Sequence, residues 1–225
     1  GLETLLEFHL DHDQNAKALA LLDNWLKAHP NDLDRLTVKG NLLSWLKRYD
    51  DAIELFKSAI SQANSQDKSN LNSLIAAAYT EKGDYNLALE NIDDAIDTTG
   101  KQGFKFQKAV IYQRMDRHED AISLLSELVE IGAYNREVLA HRATSYMATK
   151  QHDNAKEDYE KLREFHPDAI GIYLNLAQIA EAKDQAVEAL KNYELYLKYA
   201  DPESAPAEDL QHVQTRVKQL RGDAP

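Results

Sequence analysis

Residues 40–59 read GNLLSWLKRYDDAIELFKSA, running from Gly40 through Tyr49, Ala52 and Phe56 to Ala59. This stretch reads as the end of one helix, a turn, and a second helix. Ala52, Phe56 and Ala59 are spaced by four and then three residues, which keeps them on one helix face. Gly40, twelve residues before Ala52, is the matching small residue on the preceding helix. Antiparallel helices pack about 8–10 Å apart, by an amount set by the side chains at the crossing. A Gly or Ala on each helix permits a close approach, and larger side chains beside them fill the gaps. Tyr49, three residues before Ala52, marks the turn.

The same set recurs on both sides of this stretch. Ala18, Ala52, Ala88, Ala121, Ala155 and Ala189 are separated by 34, 36, 33, 34 and 34 residues. A period near 34 marks an array of helix–turn–helix units. Four residues after each alanine stand Leu22, Phe56, Ile92, Leu125, Tyr159 and Tyr193. Three further on come Trp25, Ala59, Ala95, Leu128, Leu162 and Tyr196. Twelve residues before the last five alanines lie Gly40, Ala76, Ala109, Ala143 and Ala177. Tyr79, Tyr112 and Tyr146 each precede an alanine by nine, and Tyr85, His118 and His152 succeed Tyr49 at the turn.

This order of small residue, Tyr, turn, Tyr, Ala, bulky apolar residue, Ala and Pro resembles the tetratricopeptide repeat (TPR). The copy from Gly40 to Ala59 follows it best, and Ala76, Tyr79, Tyr85, Ala88, Ile92 and Ala95 nearly as well. The closing Pro is present as Pro30 and Pro167, while Asn64, Gly100, Ala133 and Asp201 take its place elsewhere. The early aromatic of the family's first helix is Tyr173 in one copy, with Leu36, Asn72, Lys105 and Leu139 in others. The resemblance implies an all-α fold, a right-handed solenoid of stacked antiparallel helix pairs. Helix pairs are expected at 2–28, 33–63, 69–98, 102–131, 136–165 and 170–199. They lie in repeat units of about 1–31, 33–66, 69–101, 102–135, 136–169 and 170–203.

The polar run Ser61-Gln62-Ala63-Asn64-Ser65-Gln66-Asp67-Lys68 carries the one stretched spacing and reads as a longer loop or an extra helical turn. The link Gly100-Lys101-Gln102-Gly103 is the most flexible by composition, and any bend is expected there. Residues 204–222 form one more helix. Ser204-Ala205-Pro206 opens it, Glu208 and Asp209 fill its first turn, and Lys218 and Arg221 precede Gly222. Its single apolar stripe, Leu210, Val213, Val217 and Leu220, suits a capping helix with one side docked and the other in water.

The 225 residues carry no cysteine, which excludes disulfides, thiolate zinc sites and cysteine nucleophiles without choosing between cytoplasm and bacterial periplasm. A net charge of −12 opposes binding to nucleic acid phosphates and suits a basic partner, although it also serves simply to solvate a long surface. No run of uncharged apolar residues approaches membrane-spanning length. The opening Gly1-Leu2-Glu3-Thr4-Leu5 belongs to a unit shortened at its front, and we expect an excised or processed chain whose targeting segment is out of view.

No catalytic constellation emerges. His118 and His152 are repeat-equivalent, and so are His29 and His166, so each pair is displaced by the stacking translation. His9 and His12 share a helix face near Asp13, an arrangement more often structural than metal-binding. His-Glu-x-x-His, Gly-x-Ser-x-Gly and phosphate-cradling Gly loops are missing. The expectation is a non-enzyme without cofactor or metal.

In TPR proteins the first helix of each unit lines a concave groove. The resemblance therefore implies a partner-binding set of Asn41, Ser44, Ser73, Ala77, Phe106, Val110, Gln113, Arg114, Thr144, Met147, Leu174, Gln178 and Glu181. Phe106, Val110, Met147 and Leu174 either floor this groove or are buried between neighbouring repeats. The family's carboxylate clamp requires Lys, Asn and Arg. Its matching positions read Thr37, Asn41, Leu74, Gly103 and Gln107, or Phe106, Val110, His141, Gly171 and Asn175, and neither set supplies the cations. The leading function is a protein–protein adaptor, monomeric or weakly dimeric, that takes a basic extended segment or amphipathic helix. The alternative is a rigid or self-associating assembly segment of a larger bacterial envelope or secretion protein.

Overall fold

The computed structural model describes residues 2–61, 63–132 and 136–222. Gly1, Gln62 in the polar link, Ala133 at a closing position, and residues 134–135 and 223–225 lie outside them. Among the described residues there are thirteen α-helices and no strand. The chain divides into two compact units, Gly1–Asp116 and Arg117–Pro225. The first holds α1 (Leu2–Asp11), α2 (Asn15–Ala28), α3 (Leu33–Trp45), α4 (Tyr49–Ile60), α5 (Ser65–Lys82), α6 (Tyr85–Thr99) and α7 (Gln102–Arg114). The second holds α8 (His118–Glu130), α9 (Arg136–Ala148), α10 (His152–Phe165), α11 (Ile170–Ala182), α12 (Ala186–Tyr199) and α13 (Ala207–Arg221).

Each helix packs mainly on its sequence neighbours: α5 on α4 and α6, for instance, and α11 on α10 and α12. The boundary between units falls between α7 and α8, the helices expected to form the fourth pair. In the first unit α7 packs on α6 and α5, and in the second α8 packs on α9. Gly100 closes α6 at φ 64°, and α7 starts two residues later, so the 100–103 link is short. The polar run before α5 resolves as an extra helical turn. Asn64 Oδ1 accepts the Asp67 N–H at 2.9 Å and starts an 18-residue helix at Ser65.

The periodic alanines are the pivots of the packing. All six, together with Ala76, Ala109, Ala143 and Ala177, have no exposed surface. The bulky residue four places after each alanine is buried as well. Gly40 lies closest to its neighbour: a Cβ there would stand 2.1 Å from Cζ of the Phe56 ring. The Tyr series on the first helices carries cations. Lys57, Lys108 and Arg142 lie 5.3, 5.7 and 5.6 Å from the ring centres of Tyr79, Tyr112 and Tyr146.

One backbone device closes every helix pair. Asp13, Lys47, Gly83, Asp116, Lys150 and Asp184, each five residues before a periodic alanine, have positive φ. Their own N–H groups reach back three residues, as in Lys47 to Ser44 O at 2.9 Å and Lys150 to Met147 O at 3.1 Å. The next N–H reaches back five at Gln14, Arg48, Asp84, Gln151 and Gln185, as in Arg48 to Leu43 O and Gln151 to Tyr146 O, both at 2.8 Å. This double closure satisfies carbonyls that the helix end would leave bare. Gly adopts the left-handed conformation freely and Asp tolerates it, but a Lys Cβ is strained there by about 1–2 kcal/mol. Lys150→Gly should therefore stabilise the second unit by about 0.5–1 kcal/mol, once glycine's greater unfolded-state freedom is offset. Urea unfolding followed by circular dichroism measures it, and a lower midpoint would contradict the strain assignment.

Candidate protein-interaction surface

The first helices of the repeats, α3, α5 and α7 in one unit and α9 and α11 in the other, carry every residue of the implied binding set. One row stands out by register. Asn41, Ala77, Val110, Thr144 and Gln178 each follow the buried small residue of their helix directly. A residue one step round from a buried pivot turns about 100° away from it. Asn41, Ala77, Thr144 and Gln178 are accordingly exposed, and Val110 is half-buried. None of the five is charged, so on an acidic protein the row is neutral in each unit.

In the first unit, α5 and α7 bring part of the set together. Ser73 donates its hydroxyl to Gln107 Oε1 at 2.5 Å, and Gln107 Nε2 donates to the Ser73 carbonyl at 2.8 Å. Arg114 approaches Glu81 at 3.4 Å with both side chains exposed. Ser73 and Arg114 are thus tied into the joint between repeats. Phe106, Val110 and Gln113 on α7 and Ser44 on α3 are half-buried. In the second unit the Thr144 hydroxyl donates to its own helix at the Ala140 carbonyl, 2.9 Å away. Met147 and Leu174 are half-buried, each packed against a core cluster. The four apolar residues therefore take a middle course, partly sunk between helices and partly open.

Glu181 has a different employment. Its carboxylate accepts from Arg216 Nε at 2.7 Å and Nη2 at 2.5 Å, and from the Tyr193 hydroxyl at 3.0 Å. These bonds latch α13 to α11 and α12, beneath which Val213 and Val217 are buried. Burial, followed by the bond to Glu181, pushes the Tyr193 phenol up to about 12, so it remains a donor at neutral pH. The stripe expected on the last helix is indeed the docked side, with Leu210 and Leu220 at its margins.

A further polar site had no counterpart in the expected set. Asp158 on α10 is 1% exposed and receives two bonds from Arg142 on α9, at 2.8 and 2.7 Å. Arg142 also donates to Ser126 Oγ on α8 at 3.3 Å, joining three helices. The bond to Asp158 raises the guanidinium's pKa despite its burial. The sequence signal is positional and weak: Asp158 occupies the place three after the alanine, where Leu21, Leu55 and Leu124 stand in three other copies and Asn91 and Asn192 in two.

A cleft of about 410 Å³ opens among α2, α3 and α4. Leu19, Leu43 and Leu55 line it, but its charges Lys39–Asp23 and Arg48–Asp51 already pair at 2.6 Å each. Among the described residues no three His, Asp or Glu side chains gather at metal-binding distance. No helix among them is long and apolar enough to cross a membrane.

Family comparisons agree with this architecture. Residues 9–69 and 137–169 each match a tetratricopeptide repeat model. No curated protein sequence matches the chain. Among solved structures, it is similar to the C-terminal part of a TPR repeat-containing protein from Cytophaga hutchinsonii. That match has a TM-score of 0.74 at 18% identity, covering 98% of this chain and 93% of the other. A tetratricopeptide repeat protein from Parabacteroides merdae gives 0.70 at 15% identity, covering 99% and 86%. YrrB, described as a TPR protein with an unusual peptide-binding site, gives 0.65 at 14% identity, covering 86% and 97%. TPR repeats generally mediate protein–protein interaction, and proteins built of them are typically non-catalytic. With its buried alanine pivots and helix-pair solenoid architecture, the chain has the tetratricopeptide-repeat fold, and the repeat itself is matched over residues 9–69 and 137–169.

Proposed function

We propose that this protein is a non-catalytic adaptor whose first-helix surface in each unit holds a segment of a partner polypeptide. The observation that carries the reading is the neutral row of Asn41, Ala77 and Val110 in the first unit, and Thr144 and Gln178 in the second. Four of these five side chains are exposed, each directly after a buried small residue on the same helix. Small and amide side chains leave room for a ligand backbone and can bond to it. The half-open Phe106, Val110, Met147 and Leu174 offer apolar anchors of the kind used in helix-in-groove recognition. A net charge of −12 favours a basic segment by long-range attraction. YrrB supports the reading to the extent that the same fold supports a peptide-binding site there.

Ala77→Arg with Gln178→Arg adds bulk and positive charge at exposed places in both units. Helicity and melting should stay unchanged. Capture of the native partner, identified by crosslinking pull-down with the full chain, should weaken at least about tenfold. Unchanged capture rejects the surface. Light scattering tests the competing scaffold reading, which requires stable dimers that persist on dilution.

A further inference from the structure

The outer face of α1 is open, although the same face is buried in every first helix that follows. Leu6, twelve residues before Ala18, stands where those helices carry Gly40, Ala76, Ala109, Ala143 and Ala177. Two places on is Phe8, matched by Leu42, Ala78, Ile111, Ser145 and Ile179. All five are buried, at 7% exposure or less, whereas Phe8 is 48% exposed. One place before Leu6 is Leu5, 46% exposed, while its apolar counterparts Ile75 and Leu176 are buried. Phe8 is braced by the rings of His12 and His9, with centroids 4.3 and 5.6 Å away.

Contacts within the array identify what covers these two places elsewhere. Lys39, Lys108 and Arg142, at the Leu5 position, reach Asp23, Asp93 and Ser126 at 2.6, 2.5 and 3.3 Å. Those acceptors lie on α2, α6 and α8, each five residues after a periodic alanine. At the Phe8 position, Leu42 shares a core cluster with Ala18 and Leu22 of α2, and Ile179 shares one with Ala155 and Tyr159 of α10. The covering element is thus the second helix of the preceding pair, and α1 presents an apolar version of that joint. A second copy of the chain has no such helix to offer. Each of its second helices already packs on the first helix that follows, α12 on α13 included. Area points to a tethered occupant. A phenylalanine carries about 150–250 Å², so the open halves of Phe8 and Leu5 amount to roughly 200 Å². Association of separate molecules needs about 800 Å² per partner. A covalent link raises the effective concentration instead, and a joint this small then suffices.

We infer that the Leu5–Phe8 face of α1 seats the second helix of a further alanine-pivoted helix pair, carried on the same polypeptide ahead of Leu2. In the first unit, four residues separate α2 from α3 and two separate α6 from α7, so the seated helix should end at a similar distance from α1. Its pivot should be an alanine about 34 residues before Ala18. The face is separate from the partner-binding row, which α1 does not carry, and stands or falls without it. The test compares residues 1–225 with the polypeptide extended to its natural start. Residues 1–225 have no cysteine, so Phe8→Cys places one thiol on the face. That thiol should react freely with maleimide, and at least about tenfold more slowly in the extended chain with any other cysteine replaced by serine. Leu5→Ser with Phe8→Ser should leave the melting of residues 1–225 unaltered and lower that of the extended chain by at least about 3 °C. Equal thiol reactivity in the two chains overturns the proposal, as does an equal effect of the Ser changes on both. A natural polypeptide found by mass spectrometry to start at Gly1 overturns it too. So does a dimer in the ultracentrifuge that Phe8→Ser dissolves, which would give the face to a second copy.

Discussion

Replacing Asp158 with alanine is expected to destabilise the second unit by about 3–5 kcal/mol, the largest single-residue effect foreseen in the molecule. The carboxylate is almost completely enclosed and accepts two short bonds from Arg142, whose side chain is itself only 12% exposed. Without its partner, the guanidinium keeps only the 3.3 Å bond to Ser126 and the Tyr146 ring 5.6 Å away, with no counter-charge bonded to it. Most of the loss is the cost of that stranded charge and not the net worth of the pair. A double replacement, Arg142→Met with Asp158→Leu, should accordingly recover most of the stability. Thermal and urea unfolding of the three proteins decide the matter. If Asp158→Ala and the double variant melt alike, the pair is not the clamp described here.

Gly40→Ala should run against the usual behaviour of helices. In an exposed helix interior this change stabilises by about 1 kcal/mol, because alanine restricts the unfolded chain and favours the helix. Here the new Cβ would meet the Phe56 ring at 2.1 Å, and that ring is enclosed and unable to swing away. Overpacking of this kind costs about 1–3 kcal/mol, and the net effect should be a loss of stability. In a Phe56→Leu background the obstruction is gone, and the same alanine should become stabilising relative to that background. The reversal of sign, read by urea unfolding of the four proteins, separates ring contact from backbone propensity. An alanine that stabilises in both backgrounds would show that the first unit accommodates it by shifting.

Much of this fold was legible because one residue type reported it. Alanine pivots at a period near 34 located both helices of each pair, since only a small residue tolerates a close crossing and only a bulky one fills the space beside it. The same logic found α13, whose apolar stripe became its docked side. The turns were less legible. Positive φ at Lys47 and Lys150 is imposed by the closure of the preceding helix, and lysine gives no sign of it. Asp158 escaped because an acidic residue on a helix usually faces water, and its register, leucine in three copies but Asn91 and Asn192 in two others, gave little warning. Glu181 belonged by position to the implied groove but latches Arg216 and Tyr193 instead, because α13 brings a cation that no repeat motif anticipates. The interaction surface was harder still, since exposure of Asn41 or Gln178 says where contact is open and not what makes it.

The left-handed residue precedes its alanine by five in all six hairpins, even though the distance from one alanine to the next ranges from 33 to 36. The hairpin is therefore a fixed gauge, and the joint between hairpins absorbs the slack. One residue inserted between Lys47 and Ala52 would turn that alanine about 100° away from Gly40 and put a larger side chain at the crossing. The added turn at the start of α5 shows the other case, length gained at a joint while the pivots on either side stay in place. Drift in length among descendants of such a chain has room to accumulate at the seams, while the hairpins between them keep a constant measure.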